Sequence, residues 1–149
     1  MRVVVQRSGP AWVTIAGETV GAIPSGLVVL AAFAPADTEA ELGWVARKLP
    51  DLRVFDDPAG KQNLSLRDVG GGILLVSQFT LYGDCRRGNR PSYVGSASPD
   101  RAAALYRRFG ALLRDQWPTV AEGRFGAMME VSLTNSGPVT LILDREGPA

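Results

Sequence analysis

Apolar residues along the chain fall into short runs that predict β-strands. The runs Val3–Val5, Ala11–Ile15 and Thr19–Ile23 are rich in β-branched residues, and Ala16-Gly17-Glu18 between the last two is typical of a hairpin turn. Leu27–Phe33 is apolar without alternation, which indicates a strand covered on both faces. The first part of the chain is therefore predicted to consist of strands alone.

Two stretches with helical spacing follow. Thr38 and Glu41 have the spacing of a capping box, and Pro50 is predicted to end this helix after an apolar stripe of Leu42, Val45, Ala46 and Leu49. Ser98 and Pro99 are typical of a second helix start. The apolar stripe of that second helix is Ala102, Leu105, Phe109 and Leu112.

The remaining apolar runs complete a sheet-rich pattern. Leu52–Phe55 predicts a short strand, Ile73–Leu81 a long buried one, and Met128–Leu133 and Val139–Leu143 two final strands. About seven strands and two main helices, with hairpins at both ends, favour a mixed α/β fold layered β/β/α over a regular βαβ winding. No linker or repeat is visible, so residues 1–149 are predicted to form a single domain.

Composition excludes several kinds of chemistry. The chain has no histidine, which removes Ser-His-Asp and Cys-His catalysis and the usual histidine-containing zinc sites. Its one cysteine, Cys85, allows no internal disulfide, which suits a reducing cytoplasm. No signal peptide or membrane-spanning run is visible, and we expect no metal, cofactor or membrane partner.

The net charge is +1, but the basic residues are unevenly placed. From Asp84 to Arg114 the chain carries seven arginines and two aspartates, a local net charge of +5. Such a patch is typical of phosphate contacts, although a solvated loop and helix face are the commoner explanation. Cys85, inside this stretch, has no histidine as a base and is interpreted as an incidental loop residue.

Two segments stand out as candidates for chemistry. In Ser77-Gln78-Phe79-Thr80-Leu81, polar residues interrupt the end of an apolar strand, which fits either emergence into solvent or backbone amides offered to a ligand. Asn135-Ser136-Gly137-Pro138-Val139-Thr140 fits a hairpin turn on base rates. Gly70-Gly71-Gly72 precedes a strand rather than a helix, so it is a turn and not a phosphate loop.

Taken together, these two segments resemble the paired signature of the D-aminoacyl-tRNA deacylase family, in its bacterial form. The resemblance runs almost end to end, with weaker supporting pieces at Asn63-Leu64-Ser65-Leu66 and Gly123-Arg124-Phe125-Gly126-Ala127. One departure is Tyr93, which stands where relatives usually have Phe.

The resemblance implies a homodimeric enzyme that hydrolyses the ester joining a D-amino acid, or glycine, to the terminal ribose of tRNA. The backbone of Ser77, Gln78, Phe79 and Thr80 would form the catalytic floor of the pocket. A cis Gly137-Pro138 dipeptide would enter the partner's pocket and block L-side chains. Met129 and Tyr93 would line the substrate pocket. Arg86, Arg87 and Arg90 would contact tRNA phosphates.

An enzyme without histidine can work on such a substrate, because an aminoacyl ester is already activated. We expect the Phe79 and Thr80 amides to stabilise the oxyanion and the ribose 2′-OH to assist the attack. Two alternatives stay open: a non-catalytic RNA-binding module, and an esterase with a Thr80 nucleophile, for which the sequence offers no evident base. No DNA partner is expected.

Overall fold

The computed structural model describes residues 1–147, and its longest strands are antiparallel. Strand β1 (Arg2–Ile15) turns through Ala16 and Gly17 into β2 (Glu18–Ile23), and the chain continues into β3 (Gly26–Ala32), which also pairs with β1. The C-terminal strand (Glu130–Asp144) runs antiparallel along β1 from Arg2 to Thr14. β1 is therefore the central strand of this part of the sheet.

A parallel part of the sheet extends from β3. After a small two-stranded sheet of β4 (Phe55–Asp56) and β5 (Gln62–Leu64), β6 (Gly72–Ser77) pairs parallel to β3, and β7 (Val120–Glu122) pairs parallel to β6. The C-terminal strand is accordingly β8. The main sheet has six strands, with β8 on β1 outside the path β2-β1-β3-β6-β7.

Three helices cover one face of this sheet. They are α1 (Glu39–Asp51), the single turn α2 (Leu66–Val69) and α3 (Pro99–Gln116). The capping box predicted at Thr38 is present, and α3 begins at the predicted Ser98-Pro99. Pro50 does not end α1, which runs one residue further, to Asp51. The missing N–H of Pro50 removes one hydrogen bond of the last turn, which the Leu52 amide closes by donating to the Leu49 carbonyl at 3.4 Å. No helix within residues 1–147 is long and apolar enough to cross a membrane.

Two apolar clusters confirm the layered α/β prediction. One lies between the sheet and the helices and includes Val3, Leu27, Leu49 and Phe109. The other lies between the two parts of the folded sheet and is built from Ala11, Val13, Ile23, Val28, Leu74 and Val76. Leu27 and Val28 point into different clusters, as expected for successive residues of a strand covered on both faces.

Several predicted strand limits were wrong. The predicted strands Val3–Val5 and Ala11–Ile15 are one strand, β1, and the two predicted at the end are one strand, β8. The short strands β5 and β7 were not predicted, and the total is eight rather than about seven. Leu52–Val54 are not in a strand, and the predicted strand 73–81 ends at Ser77. That last strand stops because its partner β3 ends at Ala32, which removes the ladder that would hold the backbone extended.

Candidate active site at the end of β6

The backbone turns sharply where β6 ends. The Gln78 amide still donates to the Ala31 carbonyl of β3 at 2.8 Å, and a 3-10 turn then covers Phe79–Tyr82. The Leu81 amide is the first to bond back within this turn, to the Gln78 carbonyl at 3.2 Å. The first amides of a helical turn have no acceptor inside it. The Phe79 and Thr80 amides accordingly make no hydrogen bond within residues 1–147.

A cavity of about 340 Å³ opens beside this turn. Its walls come from residues 76–79 on one side and from residues 126–129 and Val131 on the other. A second, mostly apolar cavity of about 230 Å³ adjoins it, shares Ser77, Phe79 and Gly126, and reaches the start of α3 at Pro99 and Ala102. The structure thus brings residues 77–79 of the first predicted segment together with Met129 at one cavity.

Met129 is positioned by the turn that precedes β8. Its Sδ accepts a hydrogen bond from the Arg124 amide at 3.3 Å, and a Cβ added to Gly123 would lie only 2.6 Å from that sulfur. Gly126 has φ +77°, a conformation that favours glycine, and lets this turn close over the cavity. Ala127, Met128 and Val131 also line the cavity and were not predicted to do so, although segment 123–127, which carries part of the family resemblance, lies in the same turn.

The Thr80 side chain is hydrogen-bonded to its neighbour Gln78. Gln78 Nε2 donates to Thr80 Oγ1 at 2.5 Å, and Thr80 itself is exposed. An amide that donates to a hydroxyl does not accept that hydroxyl's proton, so this contact supplies no base for a Thr80 nucleophile.

An exposed aromatic pair stands at the rim of the cavity. The rings of Phe79 and Tyr93 meet edge to face, with centroids 5.1 Å apart. Tyr93 packs against the backbone of Gly83, where an added Cβ would lie 3.1 Å from the Tyr93 ring. Tyr93 therefore lies beside Phe79, which lines the cavity, but is not itself a lining residue.

The three candidate tRNA-binding arginines share one loop. The backbones of Asp84 and Ser92 pair with each other and close this loop at its base. Arg86 donates to both carboxylate oxygens of Asp84, and this hydrogen bonding lowers the pKa of Asp84 to about 2. Arg87 and Arg90 are exposed and form no ion pair within the described residues.

Gly137 and Pro138 lie outside this cavity in the same chain. Their peptide bond is cis, and Arg7 Nε donates to the Ser136 carbonyl at 2.9 Å. The pairing registers align Ser77 with Ala31, Val3 and Leu143 across four strands.

Ser136, directly before this dipeptide, lines a separate cavity with Arg7, Ser25 and Asp56. Neither Gly137 nor Pro138 lines the cavity beside Ser77, so within residues 1–147 the two segments do not share a cavity.

Known proteins resemble this chain over nearly its whole length. The family model described as D-Tyr-tRNA(Tyr) deacylase matches residues 4–144. A D-aminoacyl-tRNA deacylase of Thermus aquaticus is 56% identical over 144 residues, which cover 97% of this chain and 95% of that protein. One from Lacticaseibacillus casei is 56% identical over 146 residues, covering 98% and 99%.

Solved structures share the same architecture. One, named c-Myc DNA Unwinding Element Binding Protein, superimposes with a TM-score of 0.91 at 40% identity over the full length of both chains. A second, described as a probable eukaryotic D-amino acid tRNA deacylase, has the same fold, with a TM-score of 0.84 at 21% identity over 97% and 98% of the two chains. With a matching family model over residues 4–144 and relatives above half identity along their whole length, this chain belongs to the D-Tyr-tRNA(Tyr) deacylase family.

Proposed function

We propose that this protein hydrolyses the ester bond of D-aminoacyl-tRNA and so edits tRNA charged with the wrong stereoisomer. The observation that carries the proposal is the pair of unengaged amides, Phe79 and Thr80, beside a cavity in a chain of this family. Relatives from Thermus aquaticus and Lacticaseibacillus casei bear the name of this activity.

Catalysis in this proposal rests on main-chain groups and on the RNA. A water oxygen adds to the ester carbonyl carbon, and the carbonyl oxygen gains negative charge. The Phe79 and Thr80 amides donate to that oxygen, with Ser77 and Gln78 forming the floor beside them. The bond to the ribose 3′-oxygen then breaks, that oxygen leaves with a proton, and the vicinal 2′-OH assists the attack. The products are a free amino acid and a free tRNA.

Stereochemical selection requires a second copy of the chain. Gly137 and Pro138 do not line the Ser77–Thr80 cavity of their own chain, and we place them in the corresponding cavity of a partner. In the proposed homodimer this dipeptide fills the space where an L-side chain would point, and its carbonyls accept from the substrate ammonium. Met129 and Tyr93 border the bound substrate from the cavity wall and rim.

Glycine passes this filter, because a wall cannot repel an absent side chain. A pocket that only excludes L-residues discriminates weakly between D-alanine and glycine. We therefore include glycine mischarged on tRNA-Ala among the substrates.

The loop between Asp84 and Ser92, here called the basic loop, holds the tRNA body through Arg86, Arg87 and Arg90. Such contacts release counterions from the RNA and make the affinity depend on salt.

The place of action is the cytoplasm, where aminoacyl-tRNA is made and used. A structural relative is named for DNA binding, so a duplex DNA competitor belongs in every binding assay. We expect it to compete far less well than tRNA at physiological salt.

The deciding experiment compares D-tyrosyl-tRNA with L-tyrosyl-tRNA as substrates of the purified protein. We expect rapid release of D-tyrosine and a rate for the L-ester close to the uncatalysed one. Replacing the terminal 2′-OH of the tRNA by hydrogen, with the amino acid kept on the 3′-oxygen, should abolish most of the activity. Binding of tRNA without cleavage of either ester would instead identify an RNA-binding module and overturn the proposal.

A further inference from the structure

The rings of the exposed aromatic pair, Phe79 and Tyr93, take no part in the bond changes given above; only the main-chain amide of Phe79 does. Phe79 is 55% exposed and Tyr93 is 39% exposed, although large aromatic side chains are normally far more buried. The pair is also fixed in place, because Tyr93 packs against Gly83 and directly follows the Asp84–Ser92 backbone pair. Ordered, exposed rings of this kind mark an interaction surface rather than a packing defect.

The charges next to this pair indicate what kind of partner fits it. Arg87 and Arg90 project from the loop that ends at Ser92, one residue before Tyr93, and neither is neutralised by a carboxylate within residues 1–147. Arg86 differs, since Asp84 already holds it in a bidentate pair. Aromatic faces beside unpaired arginines are the combination that binds single-stranded nucleic acid, in which bases stack and phosphates are neutralised.

We propose that the Phe79–Tyr93 pair is a stacking platform for an unpaired base of the tRNA 3′ end, with the adjoining phosphates on Arg87 and Arg90. This inference rests on the proposed function, because it assumes that tRNA brings its 3′ end to this cavity. It adds that the single-stranded end, and not only the acceptor stem, supplies binding energy. The platform is sequence-tolerant, since every base has a face that can stack.

The test measures binding of uncharged tRNA and of the same tRNA shortened by its unpaired 3′-terminal nucleotides. Tyr93→Ala should weaken binding of the intact tRNA by about 5- to 150-fold, the range for loss of one base–aromatic stack. Binding of the shortened tRNA should not change. Tyr93→Phe should keep the affinity, because it retains the ring. Trp12→Ala is the matched control, since Trp12 is a similarly exposed aromatic, 41% exposed, on β1.

The arginines are tested by salt dependence. Arg87→Gln and Arg90→Gln should each reduce the slope of log affinity against log salt by about 1 for intact tRNA. Arg107→Gln, the same change at an exposed position of α3, should leave the slope unaltered.

Two results would overturn the platform. One is an equal loss of affinity of the Tyr93→Ala variant for intact and shortened tRNA. The other is dissociation of a dimer on the Tyr93→Ala change, detected by light scattering, which would make a second copy of the chain the occupant of this surface. Neither result depends on ester cleavage, so the deacylase proposal can stand while the platform fails. Conversely, an inactive protein that still shows the Tyr93 effect would keep the platform and discard the deacylase.

Discussion

Arg7 in β1 holds the carbonyl of Ser136 in β8, the residue directly before Gly137, with an Nε to oxygen distance of 2.9 Å. The same guanidinium donates through Nη1 to the Val54 carbonyl at 2.8 Å and to Asp56 at 3.2 Å. One planar side chain thus ties the Gly137 segment to β1 and to the small sheet at once. A lysine has no such fork and cannot make these contacts together.

We expect Arg7→Lys to weaken discrimination between stereoisomers. Loss of the tie to Ser136 lets the Gly137 segment shift, and a shift worth about 1.4 kcal/mol lowers the ratio of D- to L-ester hydrolysis about tenfold. The measurement is the ratio of kcat/KM for D- and L-tyrosyl-tRNA. Arg53→Lys, which alters an exposed arginine bonded to Asn63, serves as the control. An unchanged ratio in Arg7→Lys would show that the segment is held without this contact.

Removing the Phe79 amide should reduce the rate of D-ester hydrolysis by about 10²–10³-fold, the usual effect of losing one oxyanion donor. Phe79→Pro deletes the N–H, and proline is compatible with the first position of a helical turn. Phe79→Ala keeps the N–H and removes the ring, so the difference between the two variants isolates the amide. Similar rates for both variants, with unchanged melting temperatures, would contradict the assignment.

Thr80→Ala should keep most of the activity. The proposed role of Thr80 belongs to its main-chain amide, and its hydroxyl already accepts from Gln78 Nε2. Single-turnover deacylation of D-tyrosyl-tRNA measures the chemical step directly. A loss of several orders of magnitude in that step would favour the esterase with a Thr80 nucleophile.

Asp37→Ala should be strongly destabilising. The Met1 ammonium lies 2.6 Å from Asp37 Oδ1, and both side chains are fully buried. Removing one partner leaves a buried charge uncompensated, which costs about 3–5 kcal/mol. Urea denaturation gives the free energy of unfolding. Asp51→Ala is the contrasting variant, because its pair with Arg67 is exposed and is worth about 0–1 kcal/mol.

The ion pair of Asp84 and Arg86 should break only at an unusually low pH. Hydrogen bonds from Arg86 lower the pKa of Asp84 from 3.8 to about 2. A lowered pKa in the folded state means that the pair contributes stability above pH 3.8, and that this contribution is lost as the pH falls through about 2. NMR titration of the Asp84 carboxyl measures the value. In Arg86→Ala the pKa of Asp84 should rise toward 3.8. An unchanged pKa would assign the shift to the backbone amide of residue 86, which also donates to Asp84.

Local patterns were sufficient where the cause of a structure is local. The capping box at Thr38 and Glu41 and the Ser98-Pro99 helix start depend on neighbouring residues only, and both were confirmed. The end of β6 was not predictable in this way. Val76, Phe79 and Leu81 keep an apolar character that suits a strand, and only the end of the paired strand β3 decides that the ladder stops at Ser77.

Seen alone, the amino-acid sequence determined the layered α/β class, because residue types at fixed spacings predict its helices and strands. Its resemblance to a known family determined the family and singled out the two candidate segments. The composition also excluded histidine-based catalysis. The tertiary structure decided where the two segments lie relative to each other. Strand registers align Ser77 with Leu143 of β8 rather than with Gly137, and register depends on pairing between residues far apart in the chain, which no local pattern contains.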